Sequence, residues 1–183
     1  FNIASGATLS GDITGGTGSD TITQADGANT WDISAANAGD VTDIGSFSGI
    51  ENVTGGTGDD TFNIASGATL TGDITGGTGS DTITQADGAN TWDISAANAG
   101  DVTDIGSFSG VENLTGGTGA DTFAVQAGAS VVSMNGAGGS DTVTVDVDNQ
   151  TLTHDVTAPD SGTIAVTGAA TITYASVETR TFS

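Results

Sequence analysis

Residues 52–64 read NVTGGTGDDTFNI: a short β-branched run, a glycine turn closed by Asp60, and a second β-branched run. Val, Ile, Thr and Phe favour strands, and paired glycines supply the positive φ of a tight reversal, so the segment is predicted to be strand, turn, strand. The same turn recurs as GGTGSD at 15–20 and 76–81 and as GGTGAD at 116–121, with a scrambled GAGGSD at 136–141. Runs such as TFNI, WDIS and NVT alternate with Gly-rich turns along the chain. Pro159 is the only proline, and no apolar run keeps a helical period. The class expected is all-β.

Two periods organise the chain. Residues 1–61 and 62–122 differ at four positions (Ser10/Thr71, Ile50/Val111, Val53/Leu114 and Asp59/Ala120), and 123–183 is a divergent third copy, a possible cap. Beneath this, Asp recurs at 20, 40, 60, 81, 101, 121 and 141, which reads as a rung of about 20 residues. Eight residues before each lies a polar column (Asp12, Asp32, Asn52, Asp73, Asp93, Asn113, Ser133), followed at once by an apolar one (Ile13, Ile33, Val53, Ile74, Ile94, Leu114, Met134). After the turn come Ile22, Thr42, Phe62, Ile83, Thr103, Phe123 and Val143, then a column with gaps at Gln24 and Gln85. The expectation is a parallel β-helix, or β-solenoid, with three such rungs per unit. At ~4.8 Å per rung it forms one continuous rod on the order of 40 Å long.

Composition says what must hold such a rod. Twenty-three acidic residues face one basic residue, Arg180, giving a net charge of -22, so repulsion disfavours phosphate-backbone and anionic-lipid partners, and nucleic acid is set aside. Leu, Ile, Val and Phe make up about a fifth of the chain, near the level at which a highly charged sequence stays unfolded. With no cysteine, disulfides cannot compensate, and no apolar run reaches the length of a membrane span. Carboxylates stacked at ~5 Å repel by roughly 3 kcal/mol per neighbouring pair at an effective dielectric near 20. A structural Ca²⁺ between turns relieves this, because Asp carboxylates and inward-turned glycine carbonyls are hard oxygen ligands. The candidate ligands are Asp20, Asp40, Asp60, Asp81, Asp101, Asp121 and Asp141, with turns formed by Gly16, Gly18, Gly56, Gly58, Gly77, Gly79, Gly117 and Gly119. The alternative is that Asp and Gly are good turn formers, with each carboxylate capping N–H groups of the next turn.

Extended by three residues, the turns read GGTGSDTIT (15–23 and 76–84), GGTGDDTFN (55–63) and GGTGADTFA (116–124). These resemble the GGxGxDxUx nonapeptide of the repeats-in-toxin (RTX) family, a Ca²⁺-binding β-helix repeat. The resemblance implies several structural Ca²⁺ ions and an origin in a giant secreted bacterial repeat protein. A 20-residue rung with one such turn also resembles the calcium-bound solenoids of large bacterial surface adhesins. The full motifs here are 40, 21 and 40 residues apart rather than tandem. The middle turns ANAGD, at 36–40 and 97–101, lose the GG pair, so fewer ions are expected there.

Trp31 and Trp92 are expected to fill a corner of the rung, although exposed aromatics could also stack on sugars. His154 is alone and Arg180 unsupported, so no catalytic site is expected. Thr21, Val41 and Thr61, compared rung to rung, give no regular Thr-x-Thr ladder. The polar Asp/Asn column is expected to form a hydrogen-bonded ladder or to sit on a solvated face. The chain opens at Phe1 without an initiator Met or a signal-peptide pattern, so a segment of a longer array is expected. Its expected role is a calcium-stabilised stiff spacer or fibre of an extracellular adhesin at the bacterial cell surface. Its partners are then Ca²⁺, its own neighbouring repeats and, through unpaired end rungs, further copies in a filament. The other roles weighed are a glycan- or partner-binding module and the secretion tail of an RTX enzyme or toxin.

Overall fold

The computed structural model describes residues 1–148 and 150–183, with side chains for all of these but 155–158. The described residues are all-β, and no helix is long and apolar enough to cross a membrane. The first unit forms β1 (Asn2–Ile3), β2 (Ile13–Thr14), β3 (Thr21–Gln24), β4 (Thr30–Ala35), β5 (Ala38–Val41), β6 (Ile44–Ser48) and β7 (Asn52–Thr57). The second forms β8 (Thr61–Ile64), β9 (Leu70–Thr78), β10 (Thr82–Gln85), β11 (Thr91–Ala96), β12 (Ala99–Val102), β13 (Ile105–Ser109) and β14 (Asn113–Thr115). The third forms β15 (Thr122–Val125), β16 (Ser133–Asn135), β17 (Thr142–Val145), β18 (Leu152–Ala158), β19 (Ser161–Val166), β20 (Ile172–Ala175) and β21 (Thr179–Phe182).

The strands collect into two large mixed sheets. One runs β1-β3-β7-β9-β13-β12-β11-β15-β17-β21 and the other β18-β19-β20-β16-β14-β10-β8-β4-β5-β6-β2. The chain crosses from one sheet to the other after almost every strand, and the strands meeting across those crossings pair in parallel. The exceptions are β4 to β6, β11 to β13 and β18 to β20, each an antiparallel meander that stays in one sheet. Counting a meander as one pass, each unit makes five passes. Five is odd, so successive units begin in opposite sheets. Trp31 and Trp92, equivalent in sequence, therefore stand in different sheets.

The even 20-residue rung does not survive this pairing. Parallel neighbours lie 21 or 20 residues apart where no meander intervenes (Phe62 to Ile83, Phe123 to Val143), 31 or 34 where one of the first two does (Trp31 to Phe62, Ile74 to Phe108), and 37 or 40 across the third (Val143 to Arg180, Met134 to Tyr174). The cause is the segment TWDISAANAGDVTDIGSFS, whose strand-and-turn pattern also fits two tight hairpins. The chain reverses at Ala36-Asn37 and at Thr42-Asp43, with Asn37 at φ 51° and Asp43 at φ 65°, and Asn and Asp are the residues that best tolerate this left-handed region. The third unit keeps the same plan. Its Thr153-His154-Asp155-Val156 occupies the place of Thr30-Trp31-Asp32-Ile33, because His154 pairs with Ile164 and Val156 with Gly162 as Trp31 pairs with Val41 and Ile33 with Gly39.

Inward-facing side chains of the two sheets make one core. In one sheet Trp31, Phe62, Ile83, Leu114, Met134 and Tyr174 line up across successive strands, and all are buried. In the other, Trp92, Phe123 and Val143 do the same. Phe62 stacks on Trp31 at 5.9 Å and Phe123 on Trp92 at 5.7 Å, while Phe47 and Phe108 meet the same tryptophans edge-on. Each such burial is worth about 1.5–3 kcal/mol, and in a chain this poor in large apolar groups these stacks carry much of the stability. The gaps in the expected column are filled rather than empty: Gln24 and Gln85 are buried and donate from Nε2 to the carbonyls of Thr42 and Thr103 in the meander turns.

Candidate cation site

Each GGTGxD turn doubles back so that the closing carboxylate lies over the first glycine of its own turn. A Cβ built on Gly55 would stand 2.3 Å from Asp60 Oδ2, and one on Gly116 2.2 Å from Asp121 Oδ2. Glycine at this position is thus a matter of space. Gly77 adds the backbone reason: it sits at φ 113°, and a Cβ there would stand 2.0 Å from the carbonyl oxygen of Gly56, its partner on the adjacent parallel strand. The other turn glycines singled out in the sequence, Gly16, Gly18, Gly56, Gly58, Gly79 and Gly117, also have positive φ, and Gly119 does not.

The aspartates join ladders of hydrogen bonds between the turns of neighbouring strands. In one, Asn29 N–H donates to Asp60 Oδ1 (2.7 Å), Asp60 N–H to Asp81 Oδ1 (2.7 Å) and Asp81 N–H to Glu112 Oε2 (2.9 Å). In another, Asn90 N–H donates to Asp121 Oδ1 (2.7 Å), Asp121 N–H to Asp141 Oδ1 (2.8 Å) and Asp141 N–H to Glu178 (2.6 Å). Asp20 begins a third by donating its N–H to Glu51 Oε2 at 2.9 Å. The first ladder lies at the entry to one sheet and the other two at the entry to the other sheet, so the seven aspartates do not form one stack.

One oxygen of the Asp60, Asp81, Asp121 and Asp141 carboxylates is thereby engaged, as the capping alternative expects. The other is not. Oδ2 of Asp20, Asp60, Asp81, Asp121 and Asp141 is buried with no hydrogen-bond partner. Such an atom costs on the order of 1–3 kcal/mol, more when charged. Burial pushes the carboxyls of Asp60, Asp81 and Asp121 above the ordinary range, against the opposing pull of hydrogen bonds from Asn29, from the Asp60 N–H and from Asn90. The neighbouring acids Asp60, Glu112 and Asp59 push Asp81 further up, and Asp141 does the same to Asp121.

Asp40 and Asp101 do not join them. Both are exposed in the meander, opposite Asp32 and Asp93 across antiparallel pairs, because their chain neighbours Gly39 and Val41, and Gly100 and Val102, take the inward positions. Period-2 alternation then points the aspartates outward. The ladder members missed in the sequence are Asn29, Asn90 and the glutamates. Asn29 Nδ2 donates to Asp60 Oδ1 (2.9 Å) and the Gly55 carbonyl (3.2 Å), and Asn90 repeats this with Asp121 and Gly116. Glu51, Glu112 and Glu178 each receive a turn N–H. Glu51 and Glu112 also accept from Asn37 and Asn98, which places the ANAGD asparagines in a clamp rather than a turn around an ion. Their signal was the ENV, ENL and ETR triplets at one place in each unit.

A calcium ion fits this arrangement in part. The free Oδ2 atoms are hard anionic ligands beside glycine turns, while the Gly55 and Gly116 carbonyls accept from the Nδ2 of Asn29 and Asn90. Among the described residues, however, no three Asp, Glu or His side chains converge as a ready-made metal group. The remaining ligands would be backbone carbonyls and water. The other residues of chemical interest serve structure. Trp31 and Trp92 are fully buried, which removes them as sugar-stacking surfaces, and their Nε1 atoms have no partner. His154 bonds Tyr174 Oη at 2.7 Å, and Arg180 donates to the carbonyls of Pro159 and Val177. The polar column behaves as a ladder: Asp73 N–H donates to Asn52 Oδ1, Ser133 Oγ to Asn113 Oδ1, and Ser46 and Ser107 to Asp12 and Asp73. No protein-family model, curated protein or solved structure matches the chain.

Proposed function

We propose that the chain is a calcium-stabilised β-solenoid segment acting as a stiff spacer in a large secreted or surface-attached bacterial repeat protein, in keeping with the RTX-like turns. The solenoid reading is supported by the regular alternation of the chain between two sheets joined by parallel pairs. Ten or eleven strands per sheet at ~4.8 Å give a length on the order of 50 Å. The calcium reading is carried by the five buried Oδ2 atoms without partners. Asp60 and Asp81, on adjacent layers, and likewise Asp121 and Asp141, are the residues that would hold an ion.

Calcium is structural in this reading and acts by linkage. An ion that binds the folded layers and not the unfolded chain adds stability as the logarithm of its concentration above Kd. Where free calcium is scarce, as in a cytoplasm, the acidic chain stays loosely folded; at millimolar calcium outside the cell it consolidates. No catalytic role is proposed, since His154 and Arg180 are engaged with Tyr174 and with backbone carbonyls. Thermal unfolding followed by circular dichroism tests this. The melting temperature is expected to rise with log[Ca²⁺] and to fall again on adding EDTA; a melting curve indifferent to both overturns the calcium reading.

A further inference from the structure

The junctions between units are alike. At the first, β8 lies on β4 with Phe62 over Trp31, and β9 lies on β7 with Ile74 against Val53. At the second, β15 lies on β11 with Phe123 over Trp92, and β16 lies on β14 with Met134 against Leu114. An incoming unit thus needs three things from the layer below: an aromatic face, an apolar residue at Val53 or Leu114, and a bare glycine at Gly55 or Gly116. A Cβ at Gly55 would stand 2.7 Å from the Gly76 carbonyl oxygen of the next layer.

The last layer of the third unit lacks all three. Strand register puts His154 where Trp31 stands, and its Nε2 is tied to Tyr174 Oη at 2.7 Å. SVETRTFS at 176–183 aligns with GIENVTGG at 49–56 and GVENLTGG at 110–117, with Ser176 at φ 51° matching Gly49 and Gly110. This places Arg180 at the Val53 and Leu114 position and Phe182 at the Gly55 and Gly116 position. The pairing agrees: Val143 faces Arg180 as Ile83 faces Leu114. Arg180 bonds the Pro159 and Val177 carbonyls and lies 5.5 Å over the Tyr174 ring, and the Phe182 ring lies 5.1 Å from His154. A further unit would bury the guanidinium against an isoleucine and drive its own backbone into the phenylalanine.

From these three replacements we infer that residues 123–183 form a terminating cap, which accepts a unit before it and rejects another unit of this repeat after it. The inference rests on the layered reading proposed above and is independent of calcium. Phe1, the equivalent of Phe62 and Phe123, is 53% exposed in residues 1–183, so a variant of this chain without the three replacements is expected to join head to tail. Each added chain would be turned so that its sheets exchange places.

Two measurements on the full chain test it. Sedimentation velocity is expected to show a monomer for the wild type. The variant H154W/R180L/F182G is expected to form concentration-dependent oligomers that Phe1→Asp returns to monomers. A wild type that self-associates, or a folded triple variant that stays monomeric, overturns the cap. The second adds a copy of residues 1–61 after Ser183 of the wild type, which avoids any risk of misfolding the cap. Limited proteolysis is expected to remove the added unit and leave the original chain intact, and a protected added unit overturns the inference. Failure of the layered reading itself would show differently, as digestion within residues 1–122.

Discussion

Replacing Asp81 with Asn separates the two roles of the turn carboxylates, because the effect on stability should reverse sign with calcium. Asp81 is fully buried, its Oδ1 accepts the Asp60 N–H at 2.7 Å, and its Oδ2 has no partner. An asparagine keeps the Oδ1 acceptor and removes the charge that burial and the neighbours Asp60, Glu112 and Asp59 oppose. In EDTA the variant is therefore expected to gain roughly 1–3 kcal/mol, the extra cost of burying a charge in place of a neutral amide whose Nδ2 still lacks a partner. At about 2–4 °C per kcal/mol for a chain of this size, its melting temperature rises by several degrees. In calcium the wild type gains about 2.7 kcal/mol per site at a hundredfold excess over Kd, and the variant forfeits the gain at this site. The variant is then expected to be equal to or less stable than the wild type. Scanning calorimetry of both proteins in EDTA and in millimolar CaCl₂ reads the crossing directly. A substitution that destabilises equally in both conditions would refute the reasoning and leave Asp81 as a backbone cap alone.

The raised carboxyls also set a pH dependence. A group whose folded pKa lies above its unfolded value contributes stability present below the unfolded value and lost as pH rises through the folded one. In EDTA, lowering the pH from neutrality toward the ordinary carboxylate value of 3.8 is thus expected to raise the melting temperature, and in calcium the same change should lower it as protons displace the ion. Melts at several pH values check both signs. Gly77→Ala is expected to cost about 2 kcal/mol or more, because φ 113° is strained for alanine and the new Cβ meets the Gly56 carbonyl. Gly6→Ala, at φ 70° with open space around it, should cost about 1 kcal/mol, and urea unfolding distinguishes the pair.

The all-β class and the burial of the apolar columns could be read from the sequence, because alternation within a strand is local. Ile13, Ile33, Val53, Ile74, Ile94, Leu114 and Met134 are all buried as expected. Which of them stack on which could not be read. A period of 20 residues looks the same whether the chain crosses to the other sheet or turns back on itself, and only pairing between distant strands decides. The same ambiguity hid the single threonine column Thr91, Thr122, Thr142 and Thr179, which runs across four adjacent strands; two residues on stand Asp93, Ala124, Thr144 and Thr181, so a regular Thr-x-Thr ladder does not form. Five of the seven aspartates were identified by the glycines before them, since GGTGxD and GAGGSD leave room for a returning carboxylate. Asp40 and Asp101 shared the spacing without the glycine pair, and the departure noted at ANAGD was the real signal. Asn29 and Asn90 escaped because a neutral amide closes DGAN, a turn with no aspartate at the end.

Equilibrium dialysis of the folded chain against calcium, in about 0.15 M NaCl to screen loose counter-ion association, tests the role of the buried carboxylates most directly. Saturable binding of at least one ion per chain is expected, lost when Asp60, Asp81, Asp121 and Asp141 are all replaced by Asn in a protein that still folds. Calcium uptake that never saturates, or that is the same in the fourfold variant, would contradict it.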